Sequence, residues 1–121
     1  MAHVDPLSSP DRVLETHRAV LVLTTWPAGR DASGLARALV DEGLAACVSA
    51  TAEMTSTYRW KGEVSVDREL QLVLKTTAGR VEALLGRVRA LHPYDVPEFL
   101  VVPAAAGSAS YLSWLEGETT A

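Results

Sequence analysis

Residues 44–60 read Leu44-Ala45-Ala46-Cys47-Val48-Ser49-Ala50-Thr51-Ala52-Glu53-Met54-Thr55-Ser56-Thr57-Tyr58-Arg59-Trp60. After Lys61-Gly62 the chain continues Glu63-Val64-Ser65-Val66-Asp67-Arg68-Glu69-Leu70-Gln71-Leu72-Val73-Leu74-Lys75-Thr76-Thr77. From Leu44 to Trp60 the larger apolar side chains keep to even positions and the polar ones mostly to odd, so period two predicts one long strand, bent near Ala50–Ala52. Lys61-Gly62 is a tight-turn signal, and Leu70, Leu72 and Leu74 mark one face of a returning strand over Glu63 to Thr77. At roughly 3.3 Å per residue the first strand alone reaches about 55 Å. A domain of this size is only about 35 Å across. The hairpin is therefore expected to overhang, carrying Met54, Tyr58 and Trp60 into contact with neighbouring subunits of a homo-oligomer.

Working outward, Ala19-Val20-Leu21-Val22-Leu23 has the unbroken apolar character of a central strand. Asp31 is placed to cap a helix with Leu35, Ala36, Leu39 and Val40 on one face, and Gly43 to end it. Beyond the hairpin, Val81, Leu84, Leu85, Val88 and Leu91 recur at helical spacing up to His92-Pro93. Phe99-Leu100-Val101-Val102, between Pro97 and Pro103, reads as a fourth strand, and Ser108 as the cap of a last helix burying Tyr111, Leu112, Trp114 and Leu115. The order is β-α-β-β-α-β with a C-terminal helix. Two split β-α-β units of this kind predict an α+β, ferredoxin-like antiparallel sheet with both helices on one face.

The chain has 121 residues, 48% hydrophobic, with a net charge of −4 and one cysteine. That is enough for one core and no internal disulfide. Residues 1–18 are rich in Pro, Asp, Glu and Arg and are expected to form a disordered tail, leaving 19–121 as one domain. They hold no signal-peptide core, and no run approaches a membrane span, so a soluble cytoplasmic protein is expected, with no membrane partner. Eleven basic residues scattered among fifteen acidic ones give no nucleic-acid-binding face. The third strand also lacks the aromatics with which an RNA-recognition domain stacks bases.

The strand-to-helix turn Trp26-Pro27-Ala28-Gly29-Arg30-Asp31 invites comparison with small acylphosphatases. Those use a water-orienting asparagine, however, and this chain contains no asparagine. The segment is therefore expected to be an ordinary strand-to-helix turn capped by Asp31. Cys47 reads either as a small buried hydrophobe or as a soft metal ligand with His92 or Met54. His92-Pro93-Tyr94-Asp95-Val96-Pro97-Glu98 is the stretch densest in functional groups, its prolines fixing the loop. Lys75, one of two lysines, is expected near the same region.

Gly43-Leu44-Ala45-Ala46-Cys47-Val48, Thr55 to Glu63, Leu74-Lys75-Thr76-Thr77, His92 to Glu98 and Tyr111-Leu112-Ser113-Trp114-Leu115 together resemble the divalent-cation tolerance proteins called CutA. The resemblance implies a ferredoxin-like protomer joined into a homotrimer through its long hairpins, as in the PII signalling proteins, and a role in tolerance of copper and other divalent metals. It implies no catalytic reaction and no required cofactor, with copper or another divalent ion bound weakly. Carried over by position, Cys47 and His92 become the metal ligands. Trp60, Lys75, Tyr94 and Glu98 become the binding set of an intersubunit cleft. A second function stays open beside the first, a PII-like sensor that takes a small anionic metabolite in that cleft.

Overall fold

The computed structural model describes residues 11–119. Its elements are strand β1 (Val13–Glu15), β2 (Ala19–Pro27), helix α1 (Ser33–Asp41), β3 (Cys47–Ala50), β4 (Met54–Trp60), β5 (Glu63–Thr77), α2 (Val81–Leu91), β6 (Leu100–Pro103), β7 (Ala106–Ser108) and α3 (Ala109–Glu118). The main sheet runs β3-β5-β2-β6, with β4 also on β5, and every pairing is antiparallel. The protein is a mixed α+β fold of three helices and antiparallel sheets.

Alternation along β2 and β5 sorts the two faces of the sheet. Val20, Val22 and Trp26 meet Leu72 and Leu74 on the face that packs against Leu35 and Leu39 of α1 and Leu84 and Val88 of α2. Their neighbours in sequence turn to the opposite face, where α3 covers one end through Leu112 and Leu115 against Ala19 and Ala46. The cap signals operate as read. Asp31 accepts from the Ser33 N–H at 2.9 Å, Gly43 closes α1 at φ 69°, and Ser108 accepts from the Tyr111 N–H.

The long first strand is shorter than its pattern. Leu44 and Ala45 still donate their N–H groups to the Leu39 carbonyl at the end of α1, so bonding to β5 begins only at Ala46, whose N–H is donated to the Lys75 carbonyl at 2.8 Å, and the strand itself at Cys47. The expected bend is present and is a β-bulge. Ala50 stands opposite Leu72 and Met54 opposite Glu69, so residues 51–53 face only Leu70 and Gln71. Thr51 bridges the irregularity, donating its N–H to the Gln71 carbonyl and accepting the Gln71 N–H on its hydroxyl, both at 2.9 Å. The extra residue inverts the faces. Val48 points with Leu74 toward the helices, whereas Met54, Ser56, Tyr58 and Trp60 point with Glu69 to the other side. Even positions 44–60 thus do not share one face.

Beyond Glu69 the strand β5 has left β2, which ends at Pro27 opposite Glu69. From there to the Lys61-Gly62 turn, both residues at positive φ as a two-residue type I′ turn requires, β4 and β5 form a projecting two-stranded ribbon.

The tail expected over residues 1–18 is corrected in its second half; residues 1–10 lie outside the described residues. Val13–Glu15 pair with Ala106–Ser108, and the Arg12 carbonyl accepts the Ala109 N–H at 2.7 Å. Asp11 accepts from the Ser110 N–H at 2.9 Å and from its hydroxyl. Polar composition concealed this because Val13 and Leu14 are bound through backbone groups and stay exposed. The Ser110 hydroxyl and then its N–H hold the Asp11 carboxyl below the ordinary carboxylate value. A depressed carboxyl adds stability above the unfolded pKa and loses it as pH falls through the folded one. Asp11→Ala is therefore expected to speed amide exchange at Ala109 and Ser110. Acidification from pH 6 to about pH 3 is expected to shift the same amide resonances in the wild type but not in the variant.

Candidate functional site

Two elements converge on the face of the ribbon that the bulge turns away from the helices. The strands supply Met54, Ser56, Tyr58, Trp60, Glu69 and Gln71. The loop after α2 folds over them with Pro93, Tyr94, Asp95, Val96 and Glu98, and together with Thr25 they enclose a cleft of about 610 Å³.

His92 positions the loop. Its backbone N–H closes α2 onto the Val88 carbonyl at 2.8 Å. The ring does not face the helix carbonyls; it crosses to β2, where Nε2 lies 2.6 Å from the Thr25 carbonyl oxygen. Nδ1 accepts the Tyr94 N–H at 3.1 Å, so the proton sits on Nε2 and is donated to Thr25. Trp26 meets the ring edge-on at 5.0 Å between centroids, and Tyr94 packs at 4.8 Å. With both nitrogens engaged and the residue buried, His92 is a strut of the loop.

Tyr94, held in this way, donates its hydroxyl to Glu69 Oε2 at 2.8 Å. Burial first, then this hydrogen bond and the charge of Glu69, push the Tyr94 phenol far above its usual range. Tyr58 donates to Asp67, and that bond, with burial, raises its phenol as well. Both phenols are protonated donors at neutral pH. Gln71 Nε2 donates to Glu98 Oε2 at 3.0 Å and to the Thr24 carbonyl at 2.8 Å. The wall therefore carries Glu69, Asp95 and Glu98 with no lysine or arginine, and its electrostatic preference is for cations.

Of the residues selected from the sequence, Trp60, Tyr94 and Glu98 come together in the cleft. Lys75 does not; its ammonium lies 5.7 Å from the Tyr111 ring centroid. Cys47 stands opposite Lys75, its sulfur 3.7 Å from the Ser49 hydroxyl. The Thr25 carbonyl that engages His92 belongs to the Gln71 register, four residues or about 13 Å away along β5. One protomer thus does not bring Cys47 and His92 together. Among the described residues, no group of three or more His, Cys, Asp and Glu side chains could hold a metal ion. No helix among them is long and apolar enough to cross a membrane.

Glu69 is the residue that sequence reading missed. It alternates with Leu70, Leu72 and Leu74 onto the opposite face of β5, yet it is only 7% exposed. The Lys61-Gly62 turn already sets Glu69 opposite Met54, so its place on the ribbon was accessible from the register. Its burial under Tyr94 was not.

Residues 20–118 match the family model described as CutA1 divalent ion tolerance protein. Divalent-cation tolerance protein CutA of Thermus thermophilus is 50% identical over 99 residues, covering 82% of this chain and 96% of the relative. The structure of CutA from Synechococcus elongatus superposes with a TM-score of 0.84 at 39% identity, over 90% of this chain and 96% of that one. The Thermus thermophilus Cut A1 structure gives 0.81 at 48% identity, over 84% and 99%. On sequence and fold alike, the chain belongs to the CutA1 divalent ion tolerance protein family.

Proposed function

We propose that this protein acts in divalent-cation tolerance as a cytoplasmic, non-catalytic homotrimer of ferredoxin-like protomers, with the acidic cleft as the place where it meets cations. The observation that carries this reading is the cleft wall, which has three carboxylates and neither lysine nor arginine. A divalent ion that keeps most of its water and is shared between two carboxylates is held weakly, in keeping with the absence of a three-ligand cluster among the described residues. Assembly through the hairpins is supported by Tyr58, Trp60, Val64 and Val66, all exposed on the ribbon of the single chain. An anionic metabolite is not favoured, since Lys75 lies away from the cleft, against Tyr111.

Titration with copper and magnesium salts in an amine-free buffer is the test. Binding is expected no tighter than about 10⁻⁴ M. An Asp95→Asn/Glu98→Gln double variant should weaken it at least fivefold, whereas Cys47→Ala should leave it unchanged. Unaltered affinity in the double variant removes the cleft from metal binding. Loss of copper binding in Cys47→Ala returns the site to the thiolate.

A further inference from the structure

Leu85 and Arg89 of α2 face Asp95, Val96, Pro97 and Phe99 of the following loop across a second, smaller pocket of about 240 Å³. Four residues apart on the helix, Leu85 and Arg89 share one face, and the His92 strut holds the loop back against it. Phe99 packs on the core between the sheet and the helices, so the pocket lies on the helix side of the sheet, away from the ribbon. Leu85 and Phe99 are only half-buried and Val96 is 67% exposed, which leaves apolar surface uncovered. Two opposite charges border that surface. Neither the Arg89 guanidinium nor the Asp95 carboxylate has an ion-pair or side-chain hydrogen-bond partner among the described residues, and the two do not pair with each other. A guanidinium takes a carboxylate through two parallel N–H bonds, and a carboxylate takes an ammonium. Free charges of both signs beside an apolar floor therefore match a zwitterion with an apolar side chain. The volume is below the roughly 300–1,000 Å³ of sites for drug-sized ligands, which suits a molecule of amino-acid size and is too small for a nucleotide.

We propose that this pocket binds a free α-amino acid with an aliphatic side chain, its carboxylate on Arg89, its ammonium on Asp95 and its side chain against Leu85, Val96 and Phe99. Either exposed ion pair alone contributes little. Together they fix both charged ends of the ligand, while its side chain covers the apolar floor. Asp95 and Val96 also line the larger cleft, whereas Leu85, Arg89, Pro97 and Phe99 belong to this pocket alone. The site stands whether or not the cleft takes cations.

The experiment titrates the full-length protein with L-leucine, with leucinamide, which lacks the carboxylate, and with 4-methylpentanoate, which lacks the ammonium. Binding is read by calorimetry and by ¹⁵N chemical shifts of the Leu85 and Arg89 amides. Leucine should bind about fivefold more tightly than either analogue and shift both amides. Arg89→Gln changes an exposed side chain outside the cleft. It should abolish the preference for leucine over leucinamide and keep the preference over 4-methylpentanoate, and Asp95→Asn should do the reverse. Leucine bound no more tightly than leucinamide, shifts confined to cleft residues such as Ser56 and Gln71, or unchanged selectivity in Arg89→Gln overturns the proposal. Equal binding of leucine and 4-methylpentanoate, both lost in Arg89→Gln, makes the ligand a simple aliphatic carboxylate and overturns the amino acid.

Discussion

Replacement of His92 by alanine is expected to destabilise the protein by about 3–4 kcal/mol, as a fall in urea midpoint at fixed protein concentration. Three losses act together. The buried ring leaves a cavity against Trp26 and Tyr94, the Thr25 carbonyl loses its donor, and the Tyr94 N–H loses its acceptor. Large-to-small substitution of a buried ring costs about 3 kcal/mol or somewhat more, and each orphaned buried polar group adds about 1–3 kcal/mol, reduced where water can enter. His92→Phe separates the contributions, since it refills the cavity and leaves both polar groups unpaired. It should recover about half of the loss. If His92→Phe matches wild type, the hydrogen bonds contribute nothing and the ring acts only by its volume. Both variants free the backbone of Tyr94, so the bond between its hydroxyl and Glu69 should weaken and the Tyr94 ring resonances move toward exposed values.

A Val64→Asp/Val66→Asp double variant is expected to elute with the mass of a single chain, while the wild type elutes with that of three. Val64 and Val66 are 61% and 62% exposed on the side of the ribbon opposite Tyr58 and Trp60. A lone two-stranded ribbon is marginal in water, and apolar flanks on both its sides favour burial by other chains. An aspartate desolvated at such a contact costs several kcal/mol, enough to dissociate an assembly held through the hairpins. Val64→Thr/Val66→Thr keeps the side-chain shape without charge and should remain assembled. Light scattering that finds the wild type monomeric at micromolar concentration removes the trimer. The open face of the sheet is expected to contribute to the same contact, since Leu100 and Val102 of β6, beside Leu21 and Leu23, are both more than 40% exposed.

Elements with strong period or cap signals stood in the sequence almost as they stand in the fold. The stripe from Val81 to Leu91 is α2, and Ser108 caps α3. Each is decided by neighbours within a turn or two, and local signals suffice for that. Strands β1 and β7 were not legible. Three-residue strands held through backbone groups, with Val13 exposed, leave no hydrophobic pattern behind. In the site, Trp60, Tyr94 and Glu98 were selected because they sit in dense functional stretches. Lys75 was grouped with them by nearness to a strand end, and it belongs to the α3 side of the sheet instead.

By itself, then, the sequence determined a mixed α+β fold, a long hairpin turning at Lys61-Gly62, and a proline-bounded loop dense in polar groups after the second helix. These follow from periodicity, length and proline placement, all of which act over short stretches of chain. Only the tertiary structure decided which face carries the site. The bulge at residues 51–53 adds one residue to one strand and none to its partner, and with a side-chain period of two this sends Met54, Tyr58 and Trp60 to the side of Glu69. Whether a strand carries an extra residue depends on its partner's register and not on its own alternation, so the even-position pattern ran unbroken through the point where the face reversed.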